Sequence, residues 1–332
     1  MADKRFPILF ITGTRIGDAI LTSGLIKRLH DEIPQARFTI AAGPPAAPLF
    51  AATPNLDRVI VMPKRKWAGH WVSLWTQVRG RRWGLIVDMR GSSISRLLSS
   101  RRRATYRRNP LAVPTHKVIE AARVLKVEDD PPSPHLFTTP EIEQAASDYL
   151  SKGGDGPILA IAPGANWVGK TWPAERFAET AAHLLGPGGP LANGRLLIVG
   201  AQADREAGRA VKLAVSRDRI IGEPGQLDLL TTYACLKRVR LFIGNDSGAM
   251  HMAAAAGAPT LGLFGPSDDR LYAPWGIDCR AVRGPRDLDA IRRVDPDLNQ
   301  AICHMFDLSV DAVVEAATSL LHETEARFAR DL

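Results

Sequence analysis

The sequence contains few cysteines and no long apolar run. Only three of its 332 residues are cysteine, at positions 235, 279 and 303. Disulfide frameworks and zinc sites need paired or clustered cysteines, so this wide spacing fits neither. Apolar runs stay below the length of about 18 residues that a membrane span needs, and the chain opens on the polar stretch Met1–Phe6. We therefore expect neither a membrane span nor a signal peptide, and a cytoplasmic location.

Acidic residues are scarce in one part of the N-terminal half. The formal net charge is +8, and the excess of arginine and lysine lies between Lys64 and Arg108, where Asp88 is the only acid. Such a charge favours an acidic partner, which could be nucleic acid, an anionic membrane or a phosphorylated substrate. No recognised nucleic-acid-binding motif accompanies it, so nucleic acid is the least favoured of the three. The remaining alternative is an ordinary solvated basic face.

Short apolar runs and amphipathic stretches alternate along the chain, and this alternation predicts parallel sheets covered by helices on both faces. A proline-rich segment at 128–140 and a glycine cluster at 153–157 separate two such halves. We therefore predict an N-terminal domain at 1–152, a C-terminal domain at 153–310 and a C-terminal helix at 311–332 that packs across the domain junction. The predicted strands are Phe6–Thr12, Arg37–Ala42, Arg58–Met62 and Leu85–Asp88 in the first half, and Ile158–Ala162, Arg195–Gly200, Arg219–Ile221, Leu241–Ile243 and Thr260–Phe264 in the second.

The most informative stretch is Val239–Asp268, which predicts a strand, a polar turn, a helix and a second strand. The turn and the first helical residues place Asp246, Ser247, Gly248 and His251 at the carboxyl edge of a parallel sheet. Free backbone N–H groups and the positive end of the helix attract anions at such an edge, so we predict a phosphate site. The alternative is an ordinary turn in which Asp246 or Ser247 only caps the helix.

A second polar loop, Pro163–Pro173, follows the first strand of the C-terminal half. A proline suits the first turn of a helix, so Lys170 and Thr171 stand just before that helix. A cation, a hydroxyl and free N–H groups there predict an anion-binding loop, although the glycine spacing of a P-loop is absent. The alternative is a surface lysine beside packed tryptophans. Asn166 in this loop and Gly200 after the next strand are further candidates for ligand contacts.

The first loop of the chain, Gly13–Asp18, also joins a strand to a helix. Its glycine spacing departs from GxGxxG, and the second strand ends without the acid that binds a ribose, so a nicotinamide dehydrogenase is disfavoured. What the loop offers is Asp18 at a helix start, beside Arg15. In the alternative reading, Asp18 only caps that helix.

Together these motifs resemble the ADP-heptose:lipopolysaccharide heptosyltransferase family, glycosyltransferase family 9. The resemblance implies a GT-B architecture, in which two Rossmann-like α/β domains face a central cleft. It also implies inverting, metal-independent transfer of a heptose from a nucleotide diphosphate sugar, expected to be ADP-heptose, to the inner core of lipopolysaccharide, without a cofactor. The residues that carry it are Arg15, Gly17, Asp18, Lys170, Trp172, Pro173, the run Asp246–His251, Gly265, Pro266 and the closing segment Cys303–Val313.

The resemblance further implies a role for each candidate residue. Asp18 is the expected base for the acceptor hydroxyl, and Lys170 is expected to stabilise the leaving nucleotide diphosphate. The expected acceptor is a lipid-linked phosphorylated saccharide at the anionic surface of the inner membrane. A sugar-nucleotide epimerase with the same fold is the alternative function, and a nucleic-acid-binding protein ranks below it. The predicted donor contacts are Asn166, Thr171, Gly200, Asp246, Ser247, Gly248 and His251, the predicted acceptor contacts are Arg15, Arg90, Arg101, Arg102 and Arg103, and no metal ligand is predicted.

Overall fold

The computed structural model describes residues 5–107, 113–298 and 300–328. The chain divides into two compact units, Met1–Thr139 and Pro140–Leu332, and each contains its own sheet. Arg108, the last residue of the predicted basic stretch, lies outside the described residues.

The first unit is built on a five-stranded sheet. Its strands are β1 (Phe6–Ile11), β2 (Ala36–Ala42), β3 (Leu56–Val61), β4 (Trp83–Asp88) and β5 (Ser100–Thr105). Its helices are α1 (Ile16–Glu32), α2 (Gly69–Val78), α3 (Ile94–Leu97) and α4 (Lys117–Ala122). The strand order is β3-β2-β1-β4-β5, and every pair is parallel.

Strand β5 is not predicted from the sequence, because it holds three consecutive arginines and lacks the apolar alternation of a half-buried strand. It forms by main-chain pairing with β4, where Leu85 lies opposite Arg102 and Val87 lies opposite Ala104. Because β5 is the edge strand, its arginines remain exposed to solvent.

The second unit is built on a six-stranded sheet. Its strands are β6 (Ile158–Ala162), β7 (Arg195–Ile198), β8 (Ile220–Gly222), β9 (Leu241–Asn245), β10 (Thr260–Phe264) and β11 (Cys279–Arg283). Its helices are α5 (Pro140–Leu150), α6 (Ala174–Leu185), α7 (Arg205–Lys212), α8 (Leu229–Leu236), α9 (Gly248–Ala255), α10 (Asp269–Tyr272), α11 (Leu288–Val294) and α12 (Val310–Phe328). The strand order is β11-β10-β9-β6-β7-β8, again with parallel pairing throughout.

Both sheets share the Rossmann topology, in which the strand order reverses between the first and the fourth strand of the unit. The reversal lies between β1 and β4 in the first unit and between β6 and β9 in the second. In open α/β sheets, ligands bind outside the carboxyl ends of the strands at such a reversal. The loops that follow these four strands are therefore where each unit is expected to carry its site.

The C-terminal helix α12 packs into the core of the second unit. Its buried residues Val313, Ala317 and Leu320 belong to one apolar cluster with Trp172 and Phe177. Burial of such a face supplies most of the stabilisation of an amphipathic helix. A contact of this helix across the domain junction stays a prediction.

The proline-rich segment before α5 packs against helix α1 within the first unit. The backbone N–H of His135 donates to Ser23 Oγ at 2.9 Å, and Leu136 is buried. Helix α5, in contrast, is tied to the second unit by ion pairs of Glu143 with Lys237 and Arg238. The two compact units therefore divide before α5, whereas the sequence analysis places the domain boundary after it.

None of the helices in the described ranges is both long enough and apolar enough to cross a membrane.

We predict that Gly24→Ala destabilises the first unit. Replacing glycine by alanine inside a helix normally gains about 1 kcal/mol. At this position, however, the added carbon would lie 2.4 Å from the carbonyl oxygens of Pro132 and Ser133. We expect the free energy of unfolding, measured by urea denaturation, to fall by about 1–3 kcal/mol. Gly80→Ala is the control, because nothing lies within 4 Å of its added carbon. A gain in stability for Gly24→Ala would contradict the close packing.

Candidate active site

A buried amide joins the loops at the strand reversal of the second unit. Asn245, the last residue of β9, accepts a hydrogen bond from the backbone N–H of Trp172 at 3.0 Å. Its side-chain N–H donates to the Pro163 carbonyl at 2.8 Å. Both ends of the loop after β6 are therefore fixed to β9. The sequence analysis did not select Asn245, although it ends a buried strand as a polar residue.

Lys170 ends a 3₁₀ turn in this loop, and its ammonium contacts a carboxylate at the head of α9. The Nζ atom lies 3.0 Å from Asp246 Oδ2, and the two side chains are only 18% and 9% exposed. On the other side, Asp246 Oδ1 lies 3.8 Å from His251 Nε2. A lysine this buried and paired is not the surface residue of the alternative reading. Two of the predicted donor contacts thus lie beside the predicted catalytic cation.

Ser247 occupies the N-cap position of α9, but its hydroxyl does not cap the helix. The Oγ atom is buried and has no hydrogen-bond partner among the described residues. The prediction that Asp246 or Ser247 caps the helix is therefore not met by the serine, and Asp246 contacts Lys170 instead. A buried hydroxyl beside the first N–H groups of a helix suits an anionic oxygen. Gly248, the first residue of the helix, adds no side chain that would block such a group.

The other predicted donor residues have different surroundings. Thr171 Oγ1 donates to the Trp167 carbonyl at 2.9 Å, which closes the 3₁₀ turn, and Asn166 is exposed on the same loop. Gly200 provides space for a carboxylate, because a Cβ there would lie 2.7 Å from Asp204 Oδ2. This same oxygen accepts a hydrogen bond from the backbone N–H that follows Gly200, so it shapes the loop after β7. Asp204 is a residue that the sequence analysis missed.

A distant segment, Cys303–Leu308, supports the Lys170 loop from outside. The His304 N–H donates to the Gly169 carbonyl at 3.0 Å, and Cys303 Sγ donates to the Thr171 carbonyl at 3.2 Å. Trp172 Nε1 donates to the Leu308 carbonyl at 3.0 Å. No local sequence signal predicts these contacts, because the partners are more than 130 residues apart along the chain.

Asp18 lies in the first turn of α1, at the strand reversal of the first unit. Arg15 occupies the N-cap position, so Asp18 is not the N-cap of the alternative reading. Both residues are exposed. A side chain at Gly13 would clash with Asp18, because its Cβ would lie 2.8 Å from the Asp18 Cβ. The glycine therefore allows the loop to pass close to the carboxylate.

A buried carboxylate organises the other loop at this reversal, after β4. Asp88 accepts hydrogen bonds from the backbone N–H groups of Arg90 and Ser92 at 3.0 and 2.8 Å, and from the Ser92 hydroxyl at 2.6 Å. The Arg90 guanidinium lies 4.4 Å from the centre of the Trp71 ring. Burial lowers the pKa of Arg90 below its ordinary value, although nearby Asp88 opposes this shift. The loop thus fixes the backbone of one predicted acceptor contact.

Arg101, Arg102 and Arg103 do not form a single patch. Side chains alternate along a strand, so Arg102 lies on the opposite face of the sheet from the other two. Arg103 donates to the carbonyl oxygens of Ser95, which lies in the short helix α3, and of Leu98, the C-cap of that helix. The guanidinium of Arg103 therefore supports its own unit, and a role in acceptor binding stays a prediction for all three.

No group of three His, Cys, Asp or Glu side chains within the described ranges is arranged to hold a metal ion. Asp246 and His251 are the predicted pair closest to such an arrangement, and they are two ligands only. Whether the reaction uses a metal is therefore a separate prediction.

Two parallel Rossmann-like sheets with polar loops at both reversals define a GT-B glycosyltransferase fold. The chain belongs to glycosyltransferase family 9 (heptosyltransferase), whose sequence profile matches residues 53–299. It is accordingly a glycosyltransferase. The family resemblance inferred from the sequence is confirmed.

Relatives cover almost the full length of the chain. Lipopolysaccharide heptosyltransferase 2 of Salmonella typhimurium is 24% identical, over 95% of this chain and 99% of the relative. The solved family 9 glycosyltransferase of Veillonella parvula has a TM-score of 0.78 at 20% identity, and covers 96% of this chain and 98% of that one. Escherichia coli ADP-heptose lipopolysaccharide heptosyltransferase II has a TM-score of 0.73 at 21% identity, with 96% and 100% covered. These structures support the fold.

We predict that Asn245→Ala loosens the Lys170 loop. The change leaves the Trp172 N–H and the Pro163 carbonyl without their buried partner, so the free energy of unfolding should fall by about 1–3 kcal/mol. Amide hydrogen exchange at Trp172 should also become faster. Asn166→Ala is the matched control on the exposed side of the same loop, and its stability should change by less than about 0.5 kcal/mol. Equal stability of the two variants would show that Asn245 does not hold the loop.

Proposed function

We propose that the protein transfers a heptose from ADP-heptose to the inner core of lipopolysaccharide, with inversion at the anomeric carbon and without a metal ion. One observation carries the proposal. The Lys170 ammonium is held in a mostly buried position against Asp246, the residue that directly precedes the Ser247 N-cap and the first helical N–H groups of α9. These groups together suit the diphosphate of a sugar nucleotide. The names of the relatives supply the sugar, the nucleotide and the acceptor.

The second unit would stabilise the leaving group. As the bond between the anomeric carbon and the phosphate oxygen breaks, negative charge grows on the nucleotide diphosphate. Lys170 and the N-terminus of α9 face this charge and so replace a divalent ion. Asp246 would orient Lys170 through its 3.0 Å contact and accept hydrogen bonds from sugar hydroxyls. Asn166, Thr171, Gly200, Gly248 and His251 remain proposed donor contacts.

The first unit would supply the base and hold the acceptor. The oxygen of the acceptor hydroxyl attacks the anomeric carbon from the face opposite the leaving diphosphate, and its proton passes to the Asp18 carboxylate. Asp18 is exposed in the first turn of α1, where an incoming hydroxyl can reach its carboxylate. The cations Arg15 and Arg90 belong to the loops at the same strand reversal and would bind acceptor phosphates.

The acceptor chemistry determines the proposed location. A lipid-linked saccharide remains in its membrane, so we propose that the protein works in the cytoplasm at the anionic surface of the inner membrane. The net charge of +8 favours this surface. The family match supports transfer over sugar-nucleotide epimerisation and over nucleic-acid binding.

One experiment tests the reaction as a whole. The protein is incubated with a panel of sugar nucleotides that includes ADP-heptose, with and without extracted core lipopolysaccharide. The proposal expects one heptose to be added to the acceptor, as read by mass, and the opposite anomeric configuration in the product, as read by NMR. Release or isomerisation of the sugar without acceptor would instead identify an epimerase.

We predict that Asp18→Asn lowers kcat by about 10²- to 10⁴-fold, because general-base catalysis contributes this much. The KM for the donor should stay within a few-fold, since Asp18 belongs to the unit that does not hold the donor. Steady-state kinetics with each substrate varied in turn measures both.

Asp31→Asn is the matched control for Asp18, because it changes an exposed carboxylate of the same helix that pairs with Lys27. Its kcat should be unchanged. If unfolding of Asp18→Asn explained its whole loss of activity, the carboxylate would stabilise helix α1 and would not act as the base.

We predict that Lys170→Ala weakens donor binding, because a hydrogen bond to a charged group contributes about 1.5–3 kcal/mol. Turnover should fall as well, since the leaving charge grows in the transition state. Calorimetric titration with ADP measures the affinity. The double variant Lys170→Ala/Asp246→Asn removes the unpaired carboxylate, so it should regain stability without regaining affinity.

Addition of EDTA to the wild-type enzyme completes this test. Activity should survive chelation if Lys170 takes the place of a metal. Loss of activity that a divalent ion restores would contradict metal independence while leaving the transferase assignment in place.

A further inference from the structure

The turn between β3 and α2 presents a tryptophan to solvent. Trp67 is 97% exposed. It and Ala68 both have left-handed backbone conformations, with φ of 52° and 56°. Neither residue is a glycine, so each position stores backbone strain. Two strained residues that expose the largest apolar side chain do not serve the core of the unit.

The turn itself is well defined. The Gly69 N–H donates to the Lys66 carbonyl, and a Cβ on Gly69 would lie 3.5 Å from the Arg65 Cβ. Residues on the two sides of Trp67 are therefore in contact with each other. The indole projects from the tip of an ordered turn.

The charge around the tip is of one sign. Lys64, Arg65 and Lys66 directly precede Trp67 and are exposed, and no acidic residue occurs from 58 to 87. Val72 adds an exposed apolar side chain in the first turn of α2. An aromatic ring among cations suits the boundary between anionic headgroups and acyl chains, where tryptophan is enriched.

We propose that this turn, residues 64–72, is the membrane anchor of the protein: Trp67 inserts at the headgroup level of an anionic bilayer, and Lys64, Arg65 and Lys66 bind the lipid phosphates. Charge complementarity identifies the partner as an anionic lipid surface. A ring at this depth gains from burial of its apolar face while its N–H stays near water.

The anchor lies next to the proposed acceptor loop. Helix α2 starts at Gly69, within this segment, and carries Trp71, whose ring centre lies 4.4 Å from the Arg90 guanidinium. The turn follows the carboxyl end of β3, and Asp18 and Arg90 follow the carboxyl ends of β1 and β4 in the same parallel sheet. The use of this anchor for acceptor capture rests on the proposed function, whereas the lipid binding rests on the turn alone.

Vesicle binding tests the anchor without donor or acceptor saccharide, so the result does not depend on transferase activity. Full-length protein is sedimented with vesicles of phosphatidylcholine alone or mixed with phosphatidylglycerol. Lys64→Gln/Arg65→Gln/Lys66→Gln should bind the anionic vesicles about a hundredfold more weakly, since each basic residue near the surface contributes about fivefold. Trp67→Ala should weaken binding by about tenfold or more, and Trp67→Phe by less. Brominated lipids should quench the fluorescence of wild-type protein far more than that of Trp67→Phe.

Matched controls separate the anchor from general charge and general exposure. Arg292→Gln/Arg293→Gln removes two exposed arginines from α11 of the other unit, and Leu213→Ala removes an exposed apolar side chain of that unit. Both should retain vesicle binding to within about threefold. Thermal unfolding should show that every variant is folded.

Three outcomes would overturn the anchor. The first is a loss of vesicle binding in Arg292→Gln/Arg293→Gln while Trp67→Ala binds as the wild type does. The second is equal binding of wild-type protein to neutral and anionic vesicles. The third is a concentration-dependent sedimentation coefficient that Trp67→Phe abolishes without any effect on vesicles, because that would assign the turn to self-association.

Discussion

The Lys170 loop depends on two hydrogen bonds made by one amide, that of Asn245, which is fully buried. A buried amide without partners is costly, so the Asn245 side chain imposes its geometry on the chain around it. It fixes Trp172 and Pro163 at once, and the loop between them has little freedom. Lys170 is carried by this loop, which is why a flexible side chain can be held 3.0 Å from a carboxylate on another element. The position of the Lys170 ammonium is thus fixed by the backbone of the loop that carries it.

In the first unit, too, a buried polar side chain at a strand end fixes the backbone of a loop, but the residue is an aspartate. Asp88 ends its fourth strand, as Asn245 ends the fourth strand of the second unit, and each is a fully buried polar side chain. Each binds the backbone of a neighbouring loop and leaves a cation at the strand reversal: Arg90 in one unit and Lys170 in the other. The Rossmann topology creates the strand reversal. At each reversal, one buried, hydrogen-bonded polar side chain determines the shape of the loop.

Sequence periodicity predicts the elements that form through their own apolar pattern. Strands β6 and β10 have the predicted bounds Ile158–Ala162 and Thr260–Phe264, because their residues are buried without interruption. Edge strands β5 and β11 are missed, because arginines fill them and only pairing with a buried neighbour makes them extended. The polar loops after β6 and β9 are predicted by residue type, and their binding of an anion stays a prediction. What local patterns cannot show is that Asp204 fits against Gly200, or that Arg103 binds carbonyl groups of its own unit.

The position of the segment Cys303–Leu308 along the chain determines when the Lys170 loop can form all of its contacts. The loop that carries Lys170 receives hydrogen bonds from this segment, which the ribosome makes more than 130 residues later. The first unit can complete its sheet during synthesis, whereas the Lys170 loop gains these contacts only after residue 308 has emerged. A nascent chain can therefore fold its first unit well before its cation site is complete. The connectivity of the fold thus places the completion of the Lys170 loop after that of the first sheet.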